Sequence, residues 1–194
     1  YAHIKNFKNL NQIALAKSEI INNINKKGTL VLNKDDKYYD LFKKKALLKN
    51  LKVISFSTKK IADIRLSNLV KKKSEYIIYI KIYNKLKKFI IKKKLKPYIK
   101  NILATIAVIS INYDVEILNE KIFYDFTIPK GRGNIFKVKI NNKIINIIDE
   151  SYNSNPLSLE FAISKINEMK MNPKNKKILL GDMLELGSYS KKLH

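Results

Sequence analysis

The chain has 194 residues, enough for one full domain or for parts of two. Its hydrophobic content of 45% is typical of a globular protein and excludes a disordered one, and the lack of cysteine excludes disulfides and thiolate metal sites. No apolar run approaches the roughly 20 residues that cross a bilayer, and the N-terminus lacks the pattern of a signal peptide, so we expect a cytoplasmic protein without a membrane span.

The formal net charge of +24 raises the question of nucleic-acid binding, because clustered basic side chains neutralise phosphates. Only two of the 40 basic residues, Arg65 and Arg132, are arginine. Surfaces that read bases or clamp phosphates usually favour the bidentate fork of arginine. The joint excess of lysine, isoleucine and asparagine is typical of an AT-rich coding sequence. We therefore expect lysine on solvated faces and no specific nucleic-acid partner, with a basic nucleic-acid-binding module as the alternative.

The first predicted helix covers residues 7–24, and it places Lys17 on an otherwise apolar stripe. A lysine there would ordinarily extend its ammonium group to solvent, whereas a buried one could be modified or act on a ligand. A buried strand follows at 29–32. The polar residues 33–36 come directly after it, where α/β proteins place ligand-binding loops.

A helix over 38–49 and a strand over 51–56 complete the strand–helix–strand rhythm of a parallel α/β sheet. Further on, two segments rich in Ile and Tyr, 75–83 and 86–91, predict an antiparallel ribbon. The elements predicted after the ribbon are a helix over 98–110 that opens at Pro97 and a shorter helix over 115–124.

Residues 127–133 concentrate proline and glycine, which favours a domain boundary that divides residues 1–129 from residues 130–194. The elements predicted beyond it are a hairpin of strands 135–140 and 143–148, a helix over 156–169 and a strand over 177–180. Together they indicate a second βαβ unit.

Polar residues follow the predicted strands of this second unit. Asp149 and Asn155 lie in a turn before a helix, which would point side chains and helix N–H groups at an anion, although ordinary turn and cap chemistry explains them as well. Asp182 and Glu185 follow the next strand and would lie at the same edge. Arg132 is set between two glycines, so it either supplies geometry that lysine cannot or is a plain surface arginine.

The sequence contains no Gly-x-x-x-x-Gly-Lys-Ser/Thr phosphate loop, no His/Cys metal cluster and no serine nucleophile elbow. It also lacks aromatic residues interleaved with arginine. The residues that are present therefore do not by themselves specify one reaction.

The collinear order of six segments resembles the Mur ligase family. The segments are Ala2-His3, residues 16–20, residues 32–36, Gly131-Arg132-Gly133, residues 149–156 and residues 181–187. The Tyr-Asn-x-Asn-Pro and Gly-Asp-Met-Leu-Glu-Leu-Gly stretches are the specific ones. The resemblance implies an α/β fold, with the second half of a P-loop-type central ligase domain followed by the start of a Rossmann-like C-terminal domain.

The same resemblance implies an ATP-dependent peptide ligase of peptidoglycan precursor synthesis. ATP would phosphorylate the peptide carboxylate of a UDP-N-acetylmuramoyl-tripeptide, and the amino group of D-alanyl-D-alanine would attack the acyl phosphate through a tetrahedral intermediate. Such a reaction needs positioning, Mg²⁺ to spread phosphate charge and donors for the developing oxyanion. The full-length enzyme would be monomeric.

Residue roles also follow from the resemblance. His3 resembles a histidine near the second magnesium, and Lys17 resembles a lysine that becomes carbamylated and so turns into a metal-binding anion. Asn33 and Asp35 match an Asn-x-Asp-Asp stretch beside the nucleotide pocket. In the family's His-Asn-x-x-Asn run, which reads adenine, only Asn101 is retained.

For the C-terminal domain, Arg132 resembles the arginine that reaches ATP from the interdomain hinge, and Asp149 resembles the aspartate that holds the ribose. The residues that would line the substrate cleft are Tyr152, Asn153, Asn155, Asp182 and Glu185.

The family's phosphate loop would precede Tyr1, so we expect a fragment that alone neither hydrolyses ATP nor ligates peptide. A decayed, inactive ligase remnant is the close alternative. A related amide ligase, such as a folylpolyglutamate or cyanophycin synthetase, is a further one, against which residues 181–187 argue.

Overall fold

The computed structural model of the chain describes residues 7, 9–152, 155–184, 186 and 190–193. The chain divides into two compact units, one of residues 17–127 and one of residues 1–16 with 128–194. Within the described ranges, no helix is both long and apolar enough to span a bilayer.

The unit of residues 17–127 contains a five-stranded mixed sheet in the order β1-β2-β3-β4-β5. Its strands are β1 Thr29–Asn33, β2 Lys52–Ser57, β3 Ile64–Lys71, β4 Glu75–Ile82 and β5 Lys85–Lys92. The first three are parallel to one another, and β4 and β5 are antiparallel to their neighbours. This confirms the predicted parallel pair and the antiparallel ribbon, and it adds β3, which was not predicted.

The described residues up to Asn112 form three α-helices: α1 Leu10–Ser18, α2 Tyr39–Leu48 and α3 Ile99–Asn112. The predicted helix over 7–24 is α1 continued by a 3₁₀ turn, Glu19–Asn23. Ile21, Ala46 and Leu51 form a core cluster, against which Ile24, Leu30, Phe42 and Val53 pack. This cluster fixes α2 and the end of the first helical segment next to β1 and β2.

Helix α3 carries the strongest apolar stripe of the unit. Ile99, Ile102, Leu103, Ile106 and Ala107 are all buried at helical spacing. The helix packs on β1, β2 and β3. Helix α3 therefore covers one face of the three parallel strands.

The predicted helix over 115–124 is wrong. Only the 3₁₀ turn Val115–Ile117 forms there, and the chain then runs along β5, where the Ile90 N–H donates to the Glu120 carbonyl at 2.7 Å. In an α-helix the carbonyl of Glu120 would instead accept the N–H four residues later. Pairing with the edge of β5 therefore replaces helix formation.

The second unit contains the hairpin of β6 Asn134–Ile140 and β7 Lys143–Asp149, as predicted. Asn141 and Asn142 have φ of 47° and 62°, the left-handed conformation that a two-residue hairpin turn of this kind requires. Helix α4, Pro156–Asn167, follows and confirms the predicted helix. A 3₁₀ turn, Pro173–Asn175, and the short helix α5, Ser190–Leu193, follow α4 in the described part.

The predicted strand over 177–180 is wrong. In the part of the chain that the structure describes, this segment joins no sheet. Its apolar side chains Ile178, Leu179 and Leu180 are exposed. The predicted second βαβ unit is therefore a hairpin followed by a helix.

Candidate functional site

The loop after β1 is held closed by a hydrogen bond of its own and by hydrogen bonds from residues at the end of β2. The Asp35 N–H donates to Asn33 Oδ1 at 3.0 Å. The Asp35 carboxylate accepts from Ser57 Oγ at 2.5 Å, from the Thr58 N–H at 2.8 Å and from Thr58 Oγ1 at 2.9 Å. Asp35 thus ties the end of β1 to the end of β2, at the carboxyl edge of the parallel strands.

Two buried serines of β2 extend this network. Ser57 Oγ also accepts the N–H groups of Lys59 and Lys60, at 2.9 and 2.6 Å. Ser55 donates its N–H and its hydroxyl to Asp63 Oδ2, at 2.7 and 2.6 Å. The sequence prediction missed these serines, although a Ser-x-Ser pattern inside an apolar strand signals polar groups on its buried face.

Opposing effects set the ionisation of Asp35. Burial favours the neutral acid, but the hydrogen bonds from Ser57 and Thr58 and the positive charge of Lys100 outweigh it. The pKa of the Asp35 carboxyl is therefore below its ordinary value. Lys100 lies in the first turn of α3, and the sequence prediction did not include it.

Asn101, the predicted base-reading residue, is exposed one position after Lys100. Its carbonyl accepts from Thr105 Oγ1 at 2.9 Å within α3. Within the unit of residues 17–127, the positive charge of Lys100, in the first turn of α3, thus acts on Asp35 in the loop after β1.

Lys17, in the last turn of α1, has an exposed side chain. The stripe predicted from helical spacing therefore does not bury it. The neighbouring Ser18 is only 1% exposed, and its hydroxyl accepts from Lys45 Nζ of α2 at 2.7 Å. Lys49 Nζ donates to the carbonyls of Ile21, at 2.9 Å, and Asn22. Lys45 of α2 thus holds the side chain of Ser18, and Lys49, which directly follows α2, holds the backbone at Ile21 and Asn22.

In the second unit, the loop that carries Arg132 depends on its flanking glycines. Gly131 and Gly133 have φ of 75° and 84°, which side-chain-bearing residues rarely adopt. A Cβ on Gly131 would lie 2.7 Å from Tyr152 Cβ, and one on Gly133 would lie 2.7 Å from Glu150 Oε1. Glycine is therefore favoured on both sides of Arg132 by the positive φ, and at Gly131 also by the close approach of the Tyr152 backbone and Cβ.

Asp149 ends β7 and organises the turn beside this loop. Its Oδ1 accepts the Ser151 N–H at 3.0 Å and the Ser151 hydroxyl at 2.6 Å, while its Oδ2 accepts the Gly131 N–H at 3.1 Å. The hydrogen bonds from Ser151 are the main reason that the pKa of Asp149 is below its ordinary value. Asn134 Oδ1 shares the Gly131 N–H at 2.9 Å.

The guanidinium of Arg132 lies over the ring of Tyr152, with 4.5 Å from Cζ to the ring centroid. Both side chains are exposed. Three predicted site residues, Arg132, Asp149 and Tyr152, are therefore brought together within this unit.

Of the remaining predicted residues, the structure describes Asn155 and Asp182. Asn155 caps α4, since its side chain accepts the Ser158 N–H at 3.1 Å while Ser158 Oγ accepts the Asn155 N–H at 2.9 Å, which is the ordinary cap chemistry weighed above. Asp182 is exposed. The predicted residues His3, Asn153 and Glu185 lie outside the described residues.

The described side chains do not by themselves form a magnesium site. Among them, no three His, Cys, Asp or Glu residues are grouped so that they could hold a metal ion. Lys17 is a cation unless it is modified, and a cation does not bind Mg²⁺. Magnesium prefers carboxylate and other oxygen ligands, so the predicted role of Lys17 depends entirely on its carbamylation.

Comparison with known families and proteins agrees on one family. Residues 1–109 match the model of the Mur ligase middle domain. The chain is 34% identical over 96% of its length to the UDP-N-acetylmuramoyl-tripeptide–D-alanyl-D-alanine ligase of Buchnera aphidicola subsp. Baizongia pistaciae, of which it covers 39%. It is 30% identical over its full length to the ligase of the same name from Rickettsia prowazekii, of which it covers 42%. The chain thus spans about two fifths of the length of these relatives.

Solved structures share the fold. MurF from Acinetobacter baumannii superposes with a TM-score of 0.75 at 20% identity, over 99% of this chain and 40% of that one. The MurF ligase from Thermotoga maritima in complex with ADP gives 0.70 at 21% identity, over 99% of this chain and 42% of that one. The mixed α/β architecture expected from the sequence is therefore confirmed.

Proposed function

Since residues 1–109 match its middle domain, the chain belongs to the Mur ligase family, and we propose that it forms part of a UDP-N-acetylmuramoyl-tripeptide–D-alanyl-D-alanine ligase. The names of its relatives in Buchnera and Rickettsia support this choice within the family. Residues 1–129 would belong to the central domain and residues 130–194 to the C-terminal domain. The enzyme would work in the cytoplasm, as a monomer.

The observation that carries the proposal is the group of Arg132, Asp149 and Tyr152. ATP supplies the phosphoryl group that activates the peptide carboxylate for attack by D-alanyl-D-alanine. The guanidinium of Arg132 is a planar donor that suits phosphate oxygens. A carboxylate offers about four acceptor sites, and protein donors occupy three of those on Asp149, which leaves one for a ribose hydroxyl.

In the unit of residues 17–127, Asp35 would act indirectly. Its carboxylate is partly buried, and its three protein hydrogen bonds join the end of β1 to the end of β2, so its role would be to hold the loop of Asn33 in place. The exposed Asn101 would contact the nucleotide base. The solved relative in complex with ADP supports nucleotide binding by this fold.

Lys17, after carbamylation, and His3 would contribute to Mg²⁺ binding together with oxygen ligands that the described residues do not supply. The hydrogen bond between Lys45 and Ser18 would hold the backbone that presents Lys17. Tyr152, Asn153, Asn155, Asp182 and Glu185 would line the substrate cleft.

The test is ligation by a protein of the relatives' full length that carries this sequence. With ATP, Mg²⁺, UDP-N-acetylmuramoyl-tripeptide and D-alanyl-D-alanine, we expect one phosphate released for each ligated product, measured by phosphate assay and mass spectrometry. The 194-residue chain alone, which has no phosphate-loop sequence, is expected to give neither.

Arg132→Ala should raise the KM for ATP by about tenfold or more, the cost of losing a charged hydrogen bond. Lys130→Ala is the matched control, because it removes the same charge two residues away without removing the stacked guanidinium. If the full-length protein releases no phosphate and forms no product under saturating substrates, it is a decayed ligase. If Arg132→Ala and Lys130→Ala raise the KM for ATP equally, Arg132 does not belong to the ATP site.

A further inference from the structure

We infer that Tyr152 is a positioning residue that holds the guanidinium of Arg132 ready for the phosphates of ATP. The inference rests on the proposed function and deepens it, because the sequence placed Tyr152 only among residues lining a cleft. It starts from the way the Gly131-Arg132-Gly133 loop is fixed.

The loop is joined to the turn that carries Tyr152 on both sides of Arg132. The Tyr152 N–H donates to the Gly131 carbonyl at 3.1 Å, and the Gly133 N–H donates to the Asp149 carbonyl at 2.7 Å. The Cα of Arg132 therefore cannot move without displacing the backbone of Tyr152.

Packing at Gly131 completes the arrangement. The position that a Cβ would occupy on Gly131 is filled by the backbone and Cβ of Tyr152, at 2.7 to 3.1 Å. The root of the Tyr152 side chain is thus fixed against the loop. From this root, the ring reaches the guanidinium at 4.5 Å.

The exposure of Tyr152 argues against a purely structural role. Its side chain is 67% exposed, so it buries little apolar surface. What the ring does provide is one flat face for the guanidinium. In a stacked guanidinium the N–H groups point outward within one fixed plane, parallel to the ring. Because the side chain is already held in one orientation, it loses fewer rotamers when it binds an anion. Lysine could not use the ring in this way.

Two measurements test the inference with Tyr152→Leu, which removes the ring, and Tyr152→Phe, which keeps it. In the NMR spectrum of the 194-residue chain, the Arg132 Hδ protons should be shifted upfield by the ring current. We expect this shift to persist in Tyr152→Phe and to vanish in Tyr152→Leu, while resonances of β6, β7 and α4, which belong to the same unit as Tyr152, stay unchanged and report intact folding.

In the active full-length protein, Tyr152→Leu should raise the KM for ATP by about two- to fivefold, the range of an exposed cation–π contact. Tyr152→Phe, which keeps the ring, should raise the KM for ATP less than Tyr152→Leu does, and adding Tyr152→Leu to Arg132→Ala should raise the KM no further than Arg132→Ala alone. An unshifted Arg132 signal in the wild type, or an unchanged KM in an active Tyr152→Leu enzyme, would overturn the inference. If the wild type ligates nothing, the proposed function fails, and the NMR measurement still decides whether Tyr152 positions Arg132.

Discussion

At the scale of single residues, Asp35 has an effect that depends on pH. Its carboxylate accepts three hydrogen bonds from Ser57 and Thr58. These donors stabilise the ionised form more than burial destabilises it, and Lys100 adds to their effect. Ionised Asp35 therefore stabilises the closed loop between β1 and β2.

We predict that this contribution is lost in acid. The folded-state pKa of Asp35 lies below the ordinary value of 3.8, so the stabilisation is complete above about pH 4 and disappears as the pH falls through the folded-state pKa. Thr58→Val removes one donor and should move the loss to higher pH. The measurement is the free energy of unfolding of residues 17–127 between pH 2 and pH 6, by urea titration.

Thr58→Ser is the matched control, because it keeps the hydroxyl donor. It should follow the wild-type pH profile, and Asp35→Asn should lose stability at neutral pH and show a shallower decline in acid. A Thr58→Val profile that coincides with that of Thr58→Ser would mean that the side-chain hydrogen bond does not set the pKa.

Single residues were predictable from the sequence where their chemistry is local. Arg132, Asp149 and Tyr152 lie in short motifs, and the structure brings them together. Ser57 and Thr58 were missed because their partner, Asp35, is more than 20 residues away. Lys17 is exposed, as expected for an ammonium group that extends to solvent, but the helical stripe did not reveal that the neighbouring Ser18 is buried and bound by Lys45 of α2.

At the scale of elements, the edge of β5 is covered by residues 115–126. Phe123, 1% exposed, contacts Phe89 edge-on with ring centroids 5.4 Å apart. Ion pairs also cross this contact: Lys85 and Lys87 with Glu116, Lys88 with Glu120, and Lys92 with Asp125. Most of the charged side chains in these pairs are well exposed, so solvent and salt screen them.

We therefore predict that Phe123, not the ion pairs, holds this segment on β5. Phe123→Ala should cost about 3–5 kcal/mol of unfolding free energy, the usual range for a buried phenylalanine. The amide of Ile90, which donates to Glu120, should then exchange its hydrogen much faster. Urea denaturation and hydrogen exchange measure the two effects.

Phe126→Ala is the aromatic control. Phe126 also contacts Phe123 edge-on but is 49% exposed, so we expect a loss of about 1 kcal/mol. Glu116→Gln is the charge control and should cause a small loss that high salt removes. A larger loss from Glu116→Gln than from Phe123→Ala would contradict the assignment.

The predictability of elements follows the same distinction between local and distant causes. Helix α3 and strands β4 and β5 carry unbroken periodic patterns, and they were predicted. Strand β3 was missed because its register shifts between Leu66 and Asn68, which interrupts the alternation at Ser67. Residues 115–124 and 177–180 have suitable local patterns, but their conformation depends on whether a neighbouring strand is present.

At the scale of the whole molecule, the net charge of +24 is the property that fits least obviously with the proposed ligase function. Part of this charge is used within the fold. Four lysines of β5 pair with acidic side chains, and Lys45 and Lys49 bind polar groups of the first helical segment. Lysines used in this way do not form a surface that reads bases.

We predict that the 194-residue chain binds duplex DNA only as a diffuse polycation. Association should be weak at low salt, without a defined stoichiometry or sequence preference, because neutralised phosphates release counterions whatever the sequence. Raising the salt from 50 to 200 mM should remove most of it, since phosphate contacts lose several orders of magnitude in affinity over about that range. Fluorescence anisotropy with two unrelated duplexes measures both properties.

A triple substitution, Glu116→Gln with Glu120→Gln and Asp125→Asn, sharpens this test. It removes the carboxylate partners of the four lysines of β5 without adding a basic residue, and it frees Lys85, Lys88 and Lys92, whereas Lys87 still donates to the Val115 carbonyl. Binding at low salt should therefore strengthen equally for both duplexes, and its dependence on salt should become steeper because more lysines can contact phosphate. A saturable complex with one duplex that survives 200 mM salt would contradict the prediction. It would also support nucleic-acid binding, rather than ligation, as the function of the chain.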